Sequence, residues 1–189
     1  EIKNPLTPIQ LSIDSLREKY KNKLTKDSNQ FEKYLETINR QIKDIEKLVN
    51  EFSNFARMPR PILKKIDIIS IIKKSLDFIK MSSKNSINLI AKSKTKFIKG
   101  DEDQLNRVFI NLIKNSEEAI LDKVIKDPNF KGNIDIDIYD NNDYIIIKLI
   151  DNGTGIIDTK KAMTPYFTTK KAGTGLGLPI VTKIINEHS

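Results

Sequence analysis

The sequence of 189 residues lacks cysteine and tryptophan and contains a single histidine, His188. Without cysteine, a disulfide scaffold, thiol catalysis and cysteine-ligated zinc are excluded. One histidine argues against a histidine-rich metal site and a serine-hydrolase triad. Its position beside Asn186 and Glu187 predicts an exposed side chain without a catalytic role. No apolar run approaches the ~18–20 residues that a membrane-spanning helix needs.

Arginine is also scarce, since it accounts for only five of the 33 basic residues. The net charge of +8 therefore comes mostly from lysine. A basic chain can bind nucleic acid or an anionic membrane. Here lysine is abundant together with isoleucine and asparagine, all of which have A/T-rich codons, and the lysines are scattered rather than grouped. Genome composition explains this charge better than a binding surface does, so we predict no nucleic-acid partner.

Two N-terminal segments carry apolar residues at alternating spacings of four and three. The first comprises Ile2, Leu6, Ile9, Ile13, Leu16 and Tyr20, and the second comprises Phe31, Leu35, Ile38, Ile42, Ile45, Val49, Phe52 and Ala56. This spacing is typical of coiled-coil helices and predicts an antiparallel helical hairpin. Because one hairpin cannot bury both apolar seams, we expect two copies to form a dimeric four-helix bundle. A simple dimerisation stalk would show the same pattern.

Pro5 and Pro8 fall within the first two turns of this pattern. A proline inside a helix removes a backbone donor and clashes with the preceding turn, which predicts a kink. Prolines are also common in the first turn of ordinary helices, and the sequence leaves both interpretations open.

The periodicity changes after a proline-containing linker, Ala56–Pro61. Strands are predicted at 62–67, 87–91, 96–99, 134–138 and 144–150, and helices at 68–80, from 101 and from about 174. The strand at 144–150 is expected to be the more fully buried one. Helices interleaved with a mostly antiparallel sheet predict a two-layer α/β sandwich with helices on one face. The fold class is therefore α+β.

The helix that begins after Asp101 has a clear start signal. Asp101 is the predicted N-cap, with Gln104 in a capping-box position three residues later. The predicted buried stripe of this helix comprises Leu105, Val108, Phe109, Leu112, Ala119 and Ile120.

Two segments of the sandwich carry polar residues suited to a nucleotide. Asn111 and Asn115 are four residues apart, so their amides project from one helical face and could bind Mg²⁺ or phosphate. Asp151 follows a strand and precedes Gly153 and Gly155. A buried carboxylate needs a donor such as an adenine amino group, and glycine allows a flat ligand to approach closely. A surface asparagine pair and a tight turn would explain these two segments as well.

Two later segments resemble a lid and a phosphate-binding loop. Pro165–Lys170 combines two aromatic residues with a lysine, although an ordinary loop pinned by aromatics would look the same. Gly173–Leu178 places three glycines and Thr174 at the predicted start of a helix, where free N–H groups favour phosphate. It is not a dinucleotide fingerprint, because no strand precedes it.

The order of these four segments resembles the catalytic domain of sensor histidine kinases, part of the ATP-binding group shared with Hsp90, gyrase and MutL. The start of the chain, Glu1-Ile2-Lys3-Asn4-Pro5-Leu6-Thr7-Pro8, is similar to the segment after the phosphorylated histidine of such kinases. The resemblance covers essentially the whole chain. The residues of 4–11 and 51–59 are most similar to NtrY-type nitrogen-regulation kinases.

The resemblance implies roles for individual residues. Asp151 would bind the adenine amino group, Asn115 would hold Mg²⁺, and Asn111 would contact Mg²⁺ or phosphate. Hsp90-type relatives have a glutamate in place of Asn111, and its absence fits phosphoryl transfer to a side chain rather than ATP hydrolysis. Further contacts would come from Gly153, Gly155 and Ile156 at the adenine and from Thr168, Thr169, Lys170, Gly173, Thr174, Gly175, Leu176 and Gly177 at the phosphates.

The resemblance also places a phosphoacceptor histidine immediately before Glu1. The Glu1 carboxylate would polarise this histidine. Glu1 and Asn4 match the Glu-x-x-Asn pattern with which such kinases dephosphorylate their partner. We therefore expect a dimerisation and phosphotransfer hairpin over 1–57 and an ATP-binding catalytic domain over 62–189 that lacks the family's last strand. Without the acceptor histidine, this stretch should bind ATP but not autophosphorylate. The expected lid, 157–172, is short, and Thr164 replaces a usual acidic residue.

The implied function is that of the cytoplasmic core of a two-component sensor, anchored in an inner membrane through segments outside this sequence. It would bind Mg-ATP and transfer the γ-phosphoryl group to histidine and then to an aspartate of a response-regulator receiver domain, expected to be NtrX-like. It would also dephosphorylate that regulator. Two alternatives are a dimeric docking and phosphatase module with little kinase activity, and an ATPase of the Hsp90-like group.

Overall fold

A computed structural model describes residues 6–20, 28–81, 83, 85–93, 97–141, 144–170 and 173–188. The contacts divide the chain into two units. One comprises Glu1–Met58 and Lys170–Thr174, and the other comprises Pro59–Thr169 and Gly175–Ser189. Among the helices of the described residues, none is long and apolar enough to cross a membrane.

The first unit contains a hairpin of two helices, α1 (Leu6–Tyr20) and α2 (Ser28–Ala56). Its core is formed by three residues that are at most 7% exposed, Ile13, Leu35 and Ile42, with Leu6 and Phe31 packed against them. All five belong to the predicted apolar seams. Burial of this narrow stripe holds the two helices together.

Polar pairs give the direction of the two helices. The Gln10 amide donates to the Asn39 side chain at 2.9 Å, and Arg17 lies 3.0 Å from the Glu32 carboxylate. As the position on α1 advances from 10 to 17, the partner on α2 moves back from 39 to 32. The helices are therefore antiparallel, as predicted.

Each helix carries a second apolar stripe that stays exposed within this chain. Ile9 and Leu16 on α1, and Ile38, Ile45 and Phe52 on α2, are 39–48% exposed. On both helices these residues recur at intervals of seven, and they alternate with the buried set. We call them the outer stripe.

Pro8 is the third residue of α1 as described, and its carbonyl accepts a hydrogen bond from the Ser12 hydroxyl at 2.8 Å. Pro5 lies outside the described residues.

The second unit contains five strands and four helices among its described residues. In chain order they are β1 (Lys64–Asp67), α3 (Ile68–Lys80), β2 (Ser86–Ala91), β3 (Phe97–Gly100), α4 (Glu102–Lys126), β4 (Asn133–Asn141), β5 (Tyr144–Asp151), α5 (Thr159–Ala162) and α6 (Gly177–Glu187). The predicted bounds of α3 are confirmed, and most strands begin within one or two residues of their predicted starts. The last helix begins at Gly177 rather than near Thr174, so the glycine-rich segment precedes the helix.

The strands form two ladders rather than one antiparallel sheet. β1 pairs antiparallel with β3, whereas β4 is the central strand of a three-stranded sheet, parallel to β2 and antiparallel to β5. In β4 the isoleucines at 134, 136 and 138 are at most 1% exposed, while the aspartates between them lie on the opposite face. The predicted alternation of this strand is confirmed.

The prediction that residues 144–150 form the more fully buried strand is wrong. Tyr144 is 70% exposed and Ile150 is 43% exposed. The reason is position, because β5 is an edge of the three-stranded sheet whereas β4 lies between two neighbours. An apolar run in the sequence does not reveal whether its strand is central or lateral.

Helix α4 is the centre of the second unit, since it contacts α3, α6, β4 and β5. Its fully buried apolar residues are Leu105, Val108, Phe109, Ile113 and Ile120. The predicted stripe contained four of these five but named Leu112 and Ala119, which are half-buried, and omitted Ile113. Ser116 occupies a position in the same stripe and is 2% exposed.

The prediction that the His188 side chain is exposed is also wrong. The ring is half-buried, and its Nε2 accepts the Asp101 backbone N–H at 2.9 Å. Since Nε2 is the acceptor, the ring proton is on Nδ1, which donates to the Ile184 carbonyl at 2.8 Å. His188 thus ties the end of α6 to the start of α4.

The start of α4 is capped differently from the predicted capping box. The Asp101 carboxylate accepts from the Gln104 backbone N–H at 3.1 Å, as predicted, but the Gln104 side chain donates to the Pro59 carbonyl instead of to Asp101. His188 takes the acceptor role that Gln104 was expected to play. Burial raises the pKa of the Asp101 carboxyl, but hydrogen bonds from the N–H groups of Ile62, Gln104 and Asp103 outweigh burial and lower the pKa overall.

Replacement of His188 with alanine should destabilise the second unit by about 1–3 kcal/mol, because it leaves the Asp101 N–H without its acceptor. Urea denaturation of the purified chain measures this change. Glu187→Ala, at an exposed neighbour on the same helix, is the control and should be nearly neutral. Equal stability of the two variants would contradict the capping role.

Candidate functional site

The Asp151 carboxylate, at the end of β5, is held by two protein donors. Its Oδ1 accepts the Gly153 backbone N–H at 2.9 Å, and its Oδ2 accepts the Ser116 hydroxyl at 3.0 Å. The strand, the following turn and α4 together therefore determine where this half-buried carboxylate lies. Each oxygen can accept a further hydrogen bond, so the group can still bind a ligand donor.

Gly153 lies against the backbone of α4. A Cβ at this position would be 2.6 Å from the Ala119 Cβ and 2.7 Å from the Ala119 carbonyl carbon. The next residue, Thr154, donates its N–H to the Ala119 carbonyl at 3.1 Å. The turn after β5 is therefore docked on the helix, and only glycine fits at its closest point.

The other two predicted residues of this segment, Gly155 and Ile156, are exposed. Gly155 has a φ of +72°, and a Cβ there would have nothing within 4 Å. Ile156 is 55% exposed. The two residues border open space beside the Asp151 turn rather than closing over it.

Asn111 and Asn115 face the start of α6. A Cβ on Gly177 would lie 3.5 Å from Asn111 Oδ1 and 3.7 Å from Asn115 Nδ2. The Asn111 Nδ2 donates to the Arg107 carbonyl at 2.9 Å, which directs its Oδ1 away from the helix. The predicted amide pair and the third glycine of the glycine-rich segment are thus brought together.

The start of α6 is free of a side-chain cap. Leu176 occupies the N-cap position, is fully buried and makes no side-chain cap hydrogen bond. The first N–H groups of a helix carry partial positive charge and attract anions when no side chain caps them. This end of α6 therefore suits a negatively charged group.

Gly175 anchors the lid segment through its backbone. Its φ is +68°, and a Cβ there would lie 2.6 Å from the Tyr166 carbonyl carbon and 2.7 Å from the Phe167 nitrogen. The Tyr166 N–H donates to the Gly175 carbonyl at 3.1 Å. The two aromatic rings were expected to anchor this loop, but both are exposed, at 52% and 38%.

The remaining predicted phosphate contacts are distributed over both units. Thr168 and Thr169 are exposed residues of the second unit. Lys170, Gly173 and Thr174 group with the helical unit, where the Thr174 hydroxyl donates to the Glu51 carboxylate. The predicted catalytic residues Glu1 and Asn4 lie outside the described residues.

Ser116 is a site residue that the sequence reasoning missed. It interrupts the buried stripe of α4, falling between Ile113 and Ile120 at the three- and four-residue spacings of that face. A polar residue in an apolar stripe must find a hydrogen-bond partner. That signal was available in the sequence. The sequence did not show that the partner of Ser116 is Asp151.

The donor set of the site is compatible with a magnesium-bound polyphosphate. Within the described ranges, no group of three or more histidine, cysteine or acidic side chains could hold a metal by itself. Asn111 and Asn115 offer neutral amide oxygens, a ligand type that Mg²⁺ accepts. Mg²⁺ usually takes its other ligands from phosphate oxygens and water, so two amides beside an uncapped helix start fit this need.

Comparison with protein families covers most of the chain. Residues 1–61 match the His Kinase A (phospho-acceptor) domain, and residues 100–189 match the histidine kinase-, DNA gyrase B- and HSP90-like ATPase family. The second match contains Asn111, Asn115, Asp151, Gly153 and the start of α6.

Relatives match over the whole chain. The nitrogen regulation protein NtrY of Azorhizobium caulinodans is 37% identical, over 100% of this chain and 24% of that protein. An NtrY-like protein of Rickettsia typhi is 36% identical, over 100% of this chain and 31% of that protein. The chain therefore spans about a quarter to a third of the length of these curated relatives.

Solved structures share the fold. Histidine kinase ThkA in complex with response regulator protein TrrA has a TM-score of 0.66 at 20% identity, covering 99% of this chain and 53% of that chain. Acinetobacter baumannii histidine kinase AdeS has a TM-score of 0.59 at 19% identity, covering 94% and 84% of the two chains. At these identities the likeness concerns architecture only, and it confirms a helical part followed by an α/β sandwich.

Gly153→Ala should cost about 1–3 kcal/mol of stability, because the added methyl would overlap the backbone of α4. It should also displace the N–H that holds Asp151. Gly155→Ala is the matched control, since it meets open space and adds only the cost of a left-handed backbone, about 1 kcal/mol. Thermal denaturation of both variants tests this, and a smaller loss for Gly153→Ala would contradict the close approach.

Proposed function

Since this chain belongs to the sensor histidine kinases and comprises their phosphoacceptor and ATPase domains, we propose that its second unit binds Mg-ATP. The observation that carries the proposal is the arrangement along α4. On this helix Ser116 holds Asp151, and Asn115 and Asn111, one and five residues earlier, face the start of α6. A single rigid helix thus carries groups for both ends of a nucleotide.

The adenine is proposed to bind at Asp151. Its carboxylate is anchored by Ser116 and Gly153 yet retains acceptor capacity for the exocyclic amino group. Gly153, Gly155 and Ile156 would border the ring. A half-buried carboxylate without a ligand donor is costly, which is why this group needs protein donors on both oxygens.

The phosphates are proposed to bind at the uncapped start of α6, through backbone N–H groups near Gly175, Leu176 and Gly177. Asn111 and Asn115 would contribute amide oxygens to Mg²⁺, which when bound neutralises part of the triphosphate charge. Thr168, Thr169, Lys170, Gly173 and Thr174 remain predictions from the family pattern.

The reaction proposed is in-line phosphoryl transfer. A histidine nitrogen of the parent protein, expected immediately before Glu1, would form a bond to the γ-phosphorus as the bond to the bridging oxygen breaks and ADP leaves. Glu1 would polarise that histidine. This chemistry needs no base that activates water, which agrees with an amide rather than a carboxylate at Asn111.

Residues 1–57 are proposed to form the dimerisation and phosphotransfer domain, and 62–189 the catalytic domain. The outer stripe supports a dimer, because it leaves five large apolar side chains exposed at heptad intervals on the hairpin. Pairing with a second copy would bury them in a four-helix bundle. Exposed stripes of this kind are costly in a monomer.

The partner is proposed to be a response-regulator receiver domain, of NtrX-like type by analogy with the NtrY relatives. The structural relative ThkA is described in complex with a response regulator. Asn4, with Glu1, would position water for dephosphorylation of the regulator. The parent protein would be a membrane-anchored sensor with this region in the cytoplasm.

Asp151→Asn should weaken ADP binding about 10- to 100-fold, because a charge-assisted hydrogen bond to the adenine amino group is replaced by a weaker or repulsive contact. Isothermal titration with ADP and MgCl₂ measures the affinity. Asp137→Asn, on the opposite face of the neighbouring strand β4, is the control and should leave the affinity unchanged. Unaltered affinity in Asp151→Asn would reject the adenine site.

Ile45→Glu should shift the chain from dimer to monomer, because a charge in the outer stripe would be buried between copies. Sedimentation velocity across a concentration series reports the change. Asn54→Glu introduces the same charge at an exposed position on the opposite side of α2 and should leave the dimer intact. A monomeric unsubstituted chain would contradict this arrangement.

A further inference from the structure

The hydroxyl of Ser116 makes a hydrogen bond that its position in the helix does not require. A serine inside a helix commonly donates to the carbonyl four residues earlier. Ser12 on α1 does so, donating to the Pro8 carbonyl at 2.8 Å. Ser116 instead donates across to Asp151 Oδ2 at 3.0 Å. Its single proton is therefore committed to the carboxylate of the neighbouring strand.

Burial means that Ser116 acts on a ligand through Asp151. The residue is 2% exposed, so a nucleotide in the adjoining space would meet the carboxylate and not the hydroxyl. The two protein donors use one acceptor site on each carboxylate oxygen, Gly153 on Oδ1 and Ser116 on Oδ2. Together they fix the rotation of the carboxylate plane.

The fixed rotation has a consequence for the choice of base. An adenine presents one exocyclic N–H donor beside a ring acceptor, so it needs one correctly placed oxygen. A guanine presents its ring N–H and its exocyclic amine side by side, and it pairs best with a carboxylate whose two oxygens are both turned towards it. A 6-oxo group facing the carboxylate would be repelled, since both groups are acceptors.

We propose that Ser116 is a positioning residue that sets the orientation of Asp151 and thereby the preference of the site for a 6-aminopurine over a 6-oxopurine nucleotide. The inference rests on the proposed nucleotide site. It concerns a residue that touches neither base nor phosphate and that acts only through the carboxylate that it holds.

Ser116→Ala removes the donor with little change in volume. We expect ADP affinity to fall about 5- to 20-fold, as for loss of a hydrogen bond to a charged group. The ratio of ADP to GDP affinity should fall with it, because the freed carboxylate can rotate towards the guanine edge. The affinity for purine riboside diphosphate, which lacks the 6-amino group, should stay unchanged.

Isothermal titration of the 189-residue chain with these three nucleotides, at one MgCl₂ concentration, tests the proposal. Ser75→Ala is the matched control, because it removes a similarly buried serine hydroxyl, 1% exposed, from another helix of the same unit. It should alter none of the three affinities. Ser116→Thr, which restores a hydroxyl, should recover the selectivity for ADP.

The outcomes distinguish the role of Ser116 from the existence of the nucleotide site. If Ser116→Ala lowers the affinities for ADP and for the 6-unsubstituted analogue equally, or lowers neither, Ser116 does not act through the amino-group contact and the inference is overturned. If the unsubstituted chain binds no ADP, the proposed function fails, and the inference fails with it. Melting temperatures measured without nucleotide show whether a loss reflects unfolding instead, which the Ser116→Thr rescue would exclude.

Discussion

The burial of helix α4 is the constraint on which the second unit depends. This helix packs against α3, α6 and two strands, so its buried face leaves little freedom to rotate or slide. Fully buried isoleucines at 113 and 120 define that face. Because the orientation is fixed by packing, the polar residues at the border of the same face are fixed too. The proposed nucleotide site on α4 is therefore pre-organised by the hydrophobic core.

The site uses few charges. Among the described residues of the proposed site, Asp151 is the single carboxylate. The other groups of the site are amides, a hydroxyl, backbone N–H groups and the start of α6. Neutral donors and acceptors suit a ligand that itself brings negative charge and a cation. Phosphoryl transfer asks the protein mainly to position its reactants. The rigid elements here, a long helix and the docked turn after β5, are suited to positioning.

The helical unit is built on a seven-residue apolar pattern that provides two separate surfaces. One half of each seam joins α1 to α2, and the outer stripe is left for another surface. The hairpin is thus both a folded element and an incomplete one, which is expected when assembly is part of a domain's function. The exposed stripe is the observation that supports the proposed pairing of two copies.

Local patterns in the sequence were enough to predict most of the helices and strands and the α+β class, because periodicity, caps and glycine spacing act over a few residues. They did not decide which strand is central, why Ser116 interrupts a buried stripe, or what His188 contacts. Those last two features join positions 35 and 87 residues apart, so they depend on how the elements pack. The sequence by itself determined which groups are present; only the tertiary structure decided which of them meet, because burial of α4 selects their partners.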